Sequence, residues 1–185
     1  AGTPQFVVLS VTFDLKRSEQ SLPVRYAQLA SALDVEIGNR VSATLVREHV
    51  IALRRSKGMV LDPDDHDSWS AGSFFTNPIV DDPDALPAEA PRYPVNDPLS
   101  GAKIEGKTKT SAAWLIEHAG FSKGFSIGAG RAALSDKHTL ALTNRGHAST
   151  SDVIDLARTV VTGVEDAFGI TLEPEPTFVG CALGD

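Results

Sequence analysis

Four side chains in this sequence have types and settings suited to chemistry: a serine, an asparagine, a stiffly held glutamate and a lysine. Ser73 and Asn77 lie in the run Ala71-Gly72-Ser73-Phe74-Phe75-Thr76-Asn77-Pro78. Small residues let a backbone approach a ligand closely. Phe74 and Phe75 can root the run in a core while its tip presents Ser73 and Asn77, although a buried edge strand running into a turn would use the same residues. Glu175 stands between Pro174 and Pro176. Two proline rings hold a carboxylate stiffly, which is either loop geometry or the fixing of a catalytic acid. Lys57 closes a helical pattern and would point from the helix end toward the Ser73 run.

Other groups divide between chemistry and plain structure. Tyr26 is either a core ring with its hydroxyl at the surface or a ligand contact. Lys103, Lys107 and Lys109 cluster in an otherwise acidic chain, as a solvated edge or as partners of an anion such as a phosphate. The run Asp62-Pro63-Asp64-Asp65-His66-Asp67 invites a metal reading. The calcium-loop spacing, with its glycine and distal glutamate, is absent, so the run reads as a solvated acidic loop and no metal is expected. Gly128-Ala129-Gly130-Arg131-Ala132-Ala133 matches a dinucleotide pattern by letter, but a strand-like stretch follows it where a helix is needed. A serine hydrolase is disfavoured because Ser73 does not sit in G-x-S-x-G and no histidine–acid pair has a recognisable motif.

The totals set bounds. A chain of 185 residues with 42% hydrophobic and 22% charged residues can bury a core, with one domain as the default. A net charge of −7 argues against nucleic-acid binding. No apolar run approaches the ~20 residues of a membrane span. The single cysteine, Cys181, fits a reducing compartment, and a cytoplasmic location is expected.

The elements that must position these groups follow from periodicity. Residues 6–15 alternate, with Val7, Leu9, Val11, Phe13 and Leu15 on one face, and predict a long strand. Ser42 caps a helix over 43–56 with the stripe Leu45, Val46, Val50 and Leu53, stopped by Gly58. Residues 81–98 carry five prolines and cannot form a helix or a central strand; the whole stretch 81–109 reads as a long loop. A short helix over 112–119 is capped by Thr110 or Ser111, and a strand follows over 139–144. The last helix, capped by Ser149 or Thr150 and stopped by Gly169, presents Val153, Leu156, Ala157, Val160, Val161, Val164 and Phe168 on one face. Further strands are expected at 170–172 and 177–180. The order predicts an α+β fold, a mostly antiparallel sheet with helices packed on one face.

Four segments, taken in order, carry a resemblance: Ala71-Gly72-Ser73-Phe74-Phe75-Thr76-Asn77-Pro78, Ser111-Ala112-Ala113-Trp114-Leu115-Ile116-Glu117, Lys137-His138-Thr139-Leu140-Ala141-Leu142-Thr143-Asn144 and Leu172-Glu173-Pro174-Glu175. Together they resemble the C-terminal half of the UDP-N-acetylenolpyruvoylglucosamine reductase family (MurB) of peptidoglycan synthesis. The Tyr93-Pro94 loop resembles its tyrosine-loop branch, with an actinobacterial character. The resemblance implies an oxidoreductase of cell-wall biogenesis, and hence of cell shape and division. In it NADPH reduces FAD and the flavin reduces the enolpyruvyl group of UDP-N-acetylglucosamine enolpyruvate.

By motif match, the resemblance makes Ser73 the proton donor and Glu175 the acid that stabilises the enolate, best as a neutral carboxylic acid favoured by burial. It puts Tyr26, Lys57, Asn77, Tyr93, Lys109, Lys123 and His138 on substrate-contacting positions and turns Arg54 toward the flavin. Ala113 departs from a usual glycine. The family's third essential group, a more N-terminal arginine, has no counterpart. The family's flavin-binding half would precede residue 1, so the chain is read as a C-terminal piece, inactive alone. Residues 1–68 would be the tail of the flavin domain, 69–169 the substrate domain and 170–185 a strand returning to the flavin domain. A non-catalytic UDP-sugar-binding module is the alternative.

Overall fold

The computed structural model describes residues 7–184. The chain divides into two compact units, one ending at Val60 and the other beginning at Leu61. Among the described residues, four α-helices and two antiparallel three-stranded sheets make it an α+β protein.

The first unit holds α1 (Ala27–Leu33) and α2 (Ala43–Ser56). Two extended segments precede them and pair through Ser21 N–H to Val41 C=O, Val24 N–H to Asn39 C=O and Gly38 N–H to Val24 C=O. Val24, Ala30 and Leu33 are buried against Leu29, Val35, Val41 and Val46. This small core does not cover the α2 stripe, and no residue of α2 is buried. Lys57 ends α2, and Gly58 follows in the left-handed region at φ 69°. Ser42 occupies the cap position without a side-chain cap bond. Helix α1 escapes the sequence reading because it is short and lacks a capping side chain.

The expected strand over 6–15 does not form in residues 7–15. Val7, Leu9, Val11, Phe13 and Leu15 are all exposed. Alternation prepares a strand, but a strand exists only when a neighbour takes its backbone N–H and C=O groups. No described strand pairs with this segment.

The second unit is built on two sheets. β1 (Ser70–Ser73), β5 (Ala132–Leu134) and β6 (Ala141–Asn144) form one, in the order β1-β6-β5. β2 (Ile79–Val80), β3 (Tyr93–Asn96) and β4 (Lys103–Lys109) form the other, in the order β2-β4-β3. The stretch 81–109 is therefore not one loop. Pro94 is tolerated because β3 is an edge strand, and the polar sequence of β4 carries little periodic signal. α3 (Ala112–His118) packs beside α4 (Thr150–Phe168), and α4 lies on β5 and β6. Ser149 and Asp152 close a reciprocal capping box, and Gly169 ends α4 at φ 67°. The core gathers Phe75, Leu115, Ile116, Leu134, Leu156, Val160, Val164 and Leu172. The strands expected at 170–172 and 177–180 are absent. Ile170 and Leu172 instead drop straight into the core, and Pro174 makes one isolated bridge to Phe75.

Candidate functional site

Ser73 ends β1, where the ladder slips. Ser70 pairs with Thr143 and Ser73 with Ala141, so β1 carries one extra residue, a bulge. Gly72 lies within it at φ 91°, a conformation that disfavours side chains although the space around it is open. Its N–H reaches Ser70 Oγ at 3.3 Å. A bulge re-aims the side chains beside it.

The loop joining β5 to β6 comes to meet Ser73. Ser135 is fully buried, and its Oγ accepts the N–H groups of Lys137 at 3.0 Å and His138 at 3.2 Å. Ala141 N–H donates to the His138 carbonyl at 2.9 Å. This turn sets His138 Nε2 at 3.2 Å from Ser73 Oγ. The acidic run that preceded β1 in the sequence fastens the same turn. Asp67 is buried; its Oδ1 accepts the Asp136 N–H at 3.0 Å and faces Arg145 at 3.2 Å. Lys137 donates to Asp65. That bond holds the Asp65 carboxyl below its ordinary range and raises the Lys137 ammonium above its own. These carboxylates are thus occupied in joining two loops, a role that reading the run as a solvated loop missed.

Glu175 approaches from the chain's end. Its N–H donates to the Phe74 carbonyl at 2.8 Å, and Thr76 N–H donates to the Glu173 carbonyl at 3.0 Å. The backbone that carries the glutamate is therefore stitched to the residue after Ser73. The Glu175 side chain is exposed, because a segment bonded along the sheet's rim leaves alternate side chains in solvent. Asn77 Oδ1 accepts the Ala112 N–H at 2.9 Å at the start of α3, where Ser111 Oγ also caps Trp114 N–H at 3.2 Å. The amide oxygen of Asn77 serves the fold, which leaves its NH2 for a ligand.

The remaining expected contacts fall in other groups. Tyr93 and Lys109 stand opposite each other across β3 and β4. A hollow on that hairpin is lined by Arg92, Tyr93, Lys103 and Lys107 together with Glu105. Lys103 pairs with Glu105 at 2.9 Å and Lys107 with Asp81 at 3.1 Å. Lys123 is exposed on the loop after α3. In the first unit, Tyr26, Arg54 and Lys57 line one hollow with Leu29, Val50, Leu53 and Met59. There Lys57 Nζ donates to Gln28 Oε1 at 2.9 Å. This hollow offers cations and an apolar wall but no glycine-rich phosphate cradle, and the described residues do not by themselves fit a flavin dinucleotide. Among the described residues no helix is long and apolar enough to cross a membrane, and no group of three His, Cys, Asp or Glu side chains is placed to hold a metal ion.

Chemically, a hydroxyl with an imidazole nitrogen at 3.2 Å can give or take a proton, and the carboxyl carried on the neighbouring segment adds a second acid. Residues 62–179 match the family described as UDP-N-acetylenolpyruvoylglucosamine reductase, C-terminal domain. The chain is 55% identical over 184 residues to the UDP-N-acetylenolpyruvoylglucosamine reductase of Cutibacterium acnes, covering 99% of this chain and 46% of that protein. The proteins of the same name from Saccharopolyspora erythraea and Streptomyces coelicolor are 54% and 52% identical, over 97% and 99% of this chain and 50% and 49% of their own lengths. The chain thus spans about half the length of the curated relatives it matches. A family match over most of the chain, centred on the unit that carries Ser73, His138 and Glu175, makes this chain a member of the UDP-N-acetylenolpyruvoylglucosamine reductase family.

Proposed function

We propose that this chain is the substrate-binding and proton-donating part of a UDP-N-acetylenolpyruvoylglucosamine reductase, a peptidoglycan-synthesis oxidoreductase of the cytoplasm. Its substrate is UDP-N-acetylglucosamine enolpyruvate and its product UDP-N-acetylmuramate. Reducing the enolpyruvyl double bond adds a hydride to the β-carbon and a proton to the carbon beside the carboxylate. The family resemblance implies NADPH and FAD as the hydride source. The residues described here do not make a flavin site, so hydride delivery is assigned to the rest of the protein, the flavin-binding half that this chain would partner. The unpaired strand-like segment 7–15 suits packing against such a partner.

The proton is the business of this chain. Once hydride reaches the β-carbon, the neighbouring carbon carries the electron pair as an enolate. Ser73 Oγ gives its proton to that carbon: the O–H bond breaks, a C–H bond forms and the pair stays on oxygen. A serine is a poor acid in water and works only when held against a strongly basic carbon. Glu175, as a carboxylic acid, donates a hydrogen bond to the enolate oxygen; its exposure in the free chain leaves desolvation to the bound substrate. Asn77, Tyr93, Lys109, Lys123 and His138 would contact substrate, as would Tyr26 and Lys57, with cations facing the diphosphate. Arg54 would face the flavin.

The observation that carries this reading is the meeting of Ser73 Oγ with His138 Nε2 at 3.2 Å, beside the segment bearing Glu175. Calorimetric titration of the chain with UDP-N-acetylglucosamine enolpyruvate tests it. Saturable binding that UDP displaces, retained within about threefold (under about 0.7 kcal/mol) in Ser73→Ala, is expected. No binding at millimolar substrate refutes it.

A further inference from the structure

The contact between Ser73 and His138 has a direction. If Nε2 accepted the serine hydrogen, the proton that Ser73 must give away would point at the imidazole. If Nε2 carries the hydrogen, Oγ–H is free to face a substrate carbon, and the N–H faces the oxygen that becomes negative. We propose that His138 is a positioning residue whose Nε2–H donates to Ser73 Oγ and stabilises its alkoxide as the proton leaves. This rests on the reading of Ser73 as the proton donor.

Three features of the chain support it. At 3.2 Å the imidazole nitrogen is within hydrogen-bond reach of Oγ, somewhat long before charge develops and able to tighten with it. The turn holding His138 is fixed from both sides, by buried Ser135 Oγ beneath its backbone and by Asp67 and Asp65 across from it. A donor fixed before the reaction stabilises new charge without reorganising. Three charged side chains around the His138 turn are already engaged. Lys137 is bonded to Asp65, Arg145 lies between Asp67 and Asp136, and Glu117 accepts the Thr139 hydroxyl. The imidazole is the group that meets Oγ. After transfer, a solvent water returns a proton to the alkoxide and its hydroxide passes to bulk; His138 need not change protonation.

The test replaces the oxygen with a thiol. In a Cys181→Ser background, Ser73→Cys puts at Oγ a group that ionises near 8.5 when unperturbed. The midpoint of its iodoacetamide reaction against pH reports whether position 138 stabilises an anion there. The expected result is a midpoint about one unit lower with His138 than with His138→Ala, read as roughly tenfold faster alkylation at neutral pH. His138→Gln, whose amide donates but cannot become a cation, should keep at least half of that shift. Lys137→Gln should leave the comparison unchanged. Equal midpoints for His138 and His138→Ala, or a His138→Gln profile matching His138→Ala, overturn the proposal. Should the thiol variant fail to fold, nitrogen-15 spectra of the unsubstituted chain above the imidazole titration decide: Nε2 protonated supports the donor role, and Nδ1 protonated overturns it. If the chain binds the UDP-sugar but the thiol is unmoved, this inference alone fails. If the thiol shifts but no UDP-sugar binds, the functional reading fails.

Discussion

Gly163 lies in the fourth turn of α4, where helix propensity says that alanine should be better. Propensity alone predicts that Gly163→Ala stabilises the protein by about 1 kcal/mol. The packing predicts the opposite. A Cβ built on Gly163 falls 2.5 Å from Phe121 Cε2 and closer still to Cζ. The ring has little room to yield, being 9% exposed and edge-on to Phe125 with centroids 5.0 Å apart. Forcing one methyl into such a site costs about 1–3 kcal/mol. The sum is a net loss of about 1 kcal/mol. Urea unfolding followed by tryptophan fluorescence is the assay, since Trp69 and Trp114 both lie in the second unit. The two positions are therefore coupled. In a Phe121→Leu background the obstacle shrinks, and Gly163→Ala should then stabilise by up to about 1 kcal/mol, giving an interaction of roughly 2 kcal/mol between the two positions. A Gly163→Ala protein more stable than the parent by about 1 kcal/mol would show that Phe121 moves freely and would refute the reasoning.

Asp67→Ala leaves Arg145 and the Asp136 N–H without their buried acceptor and should destabilise by about 2–4 kcal/mol, whereas Asp67→Asn, which keeps an acceptor, should cost less than half as much; thermal and urea unfolding of both variants check this. Ser149→Ala removes half of the α4 capping box and should cost about 1 kcal/mol, read in the same way. The Asp65–Lys137 pair should act over a defined pH window. Asp65 is held below its ordinary 3.8, so its contribution is full above 3.8 and lost as pH falls through the lower folded value. Lys137 is held above its ordinary 10.5, so its contribution is full below 10.5 and lost as pH rises through the higher folded value. Asp65→Asn should therefore lower the urea midpoint at pH 7 and converge with the parent at both extremes, and a constant difference across pH would contradict the assignment.

The parts of the fold that could be read from sequence are those whose signals are local. α4 announces itself by its capping box, its apolar spacing and Gly169, and Ser111 likewise marks α3. The Ser73 run is legible as an edge strand, which β1 is. The failures share one cause, dependence on partners distant in sequence. Residues 7–15 alternate as a strand should, yet no described strand pairs with them. β4 reads Lys-Ile-Glu-Gly-Lys-Thr-Lys, polar enough to pass for a loop, and is a central strand because Ile79 and Tyr93 both lie opposite Lys109. At the site, residue types pointed to Ser73, Asn77 and Glu175, and the family resemblance added His138. That His138 touches Ser73, and that Asp65 and Asp67 clasp its turn, depends on contacts spanning 65 to 72 residues, for which a single sequence carries no signal. The exposure of Glu175 was hidden in the same way, since flanking prolines imply stiffness but say nothing of solvent.

The central claim is that Ser73 faces the carbon to be protonated. A crystal structure of the chain soaked with UDP-N-acetylglucosamine enolpyruvate measures this directly. The account predicts the enolpyruvyl carbon beside the carboxylate within about 3.5 Å of Ser73 Oγ, the separation of a near-attack geometry. A fully bound substrate whose enolpyruvyl group lies elsewhere, with Ser73 still turned only to His138, would contradict it.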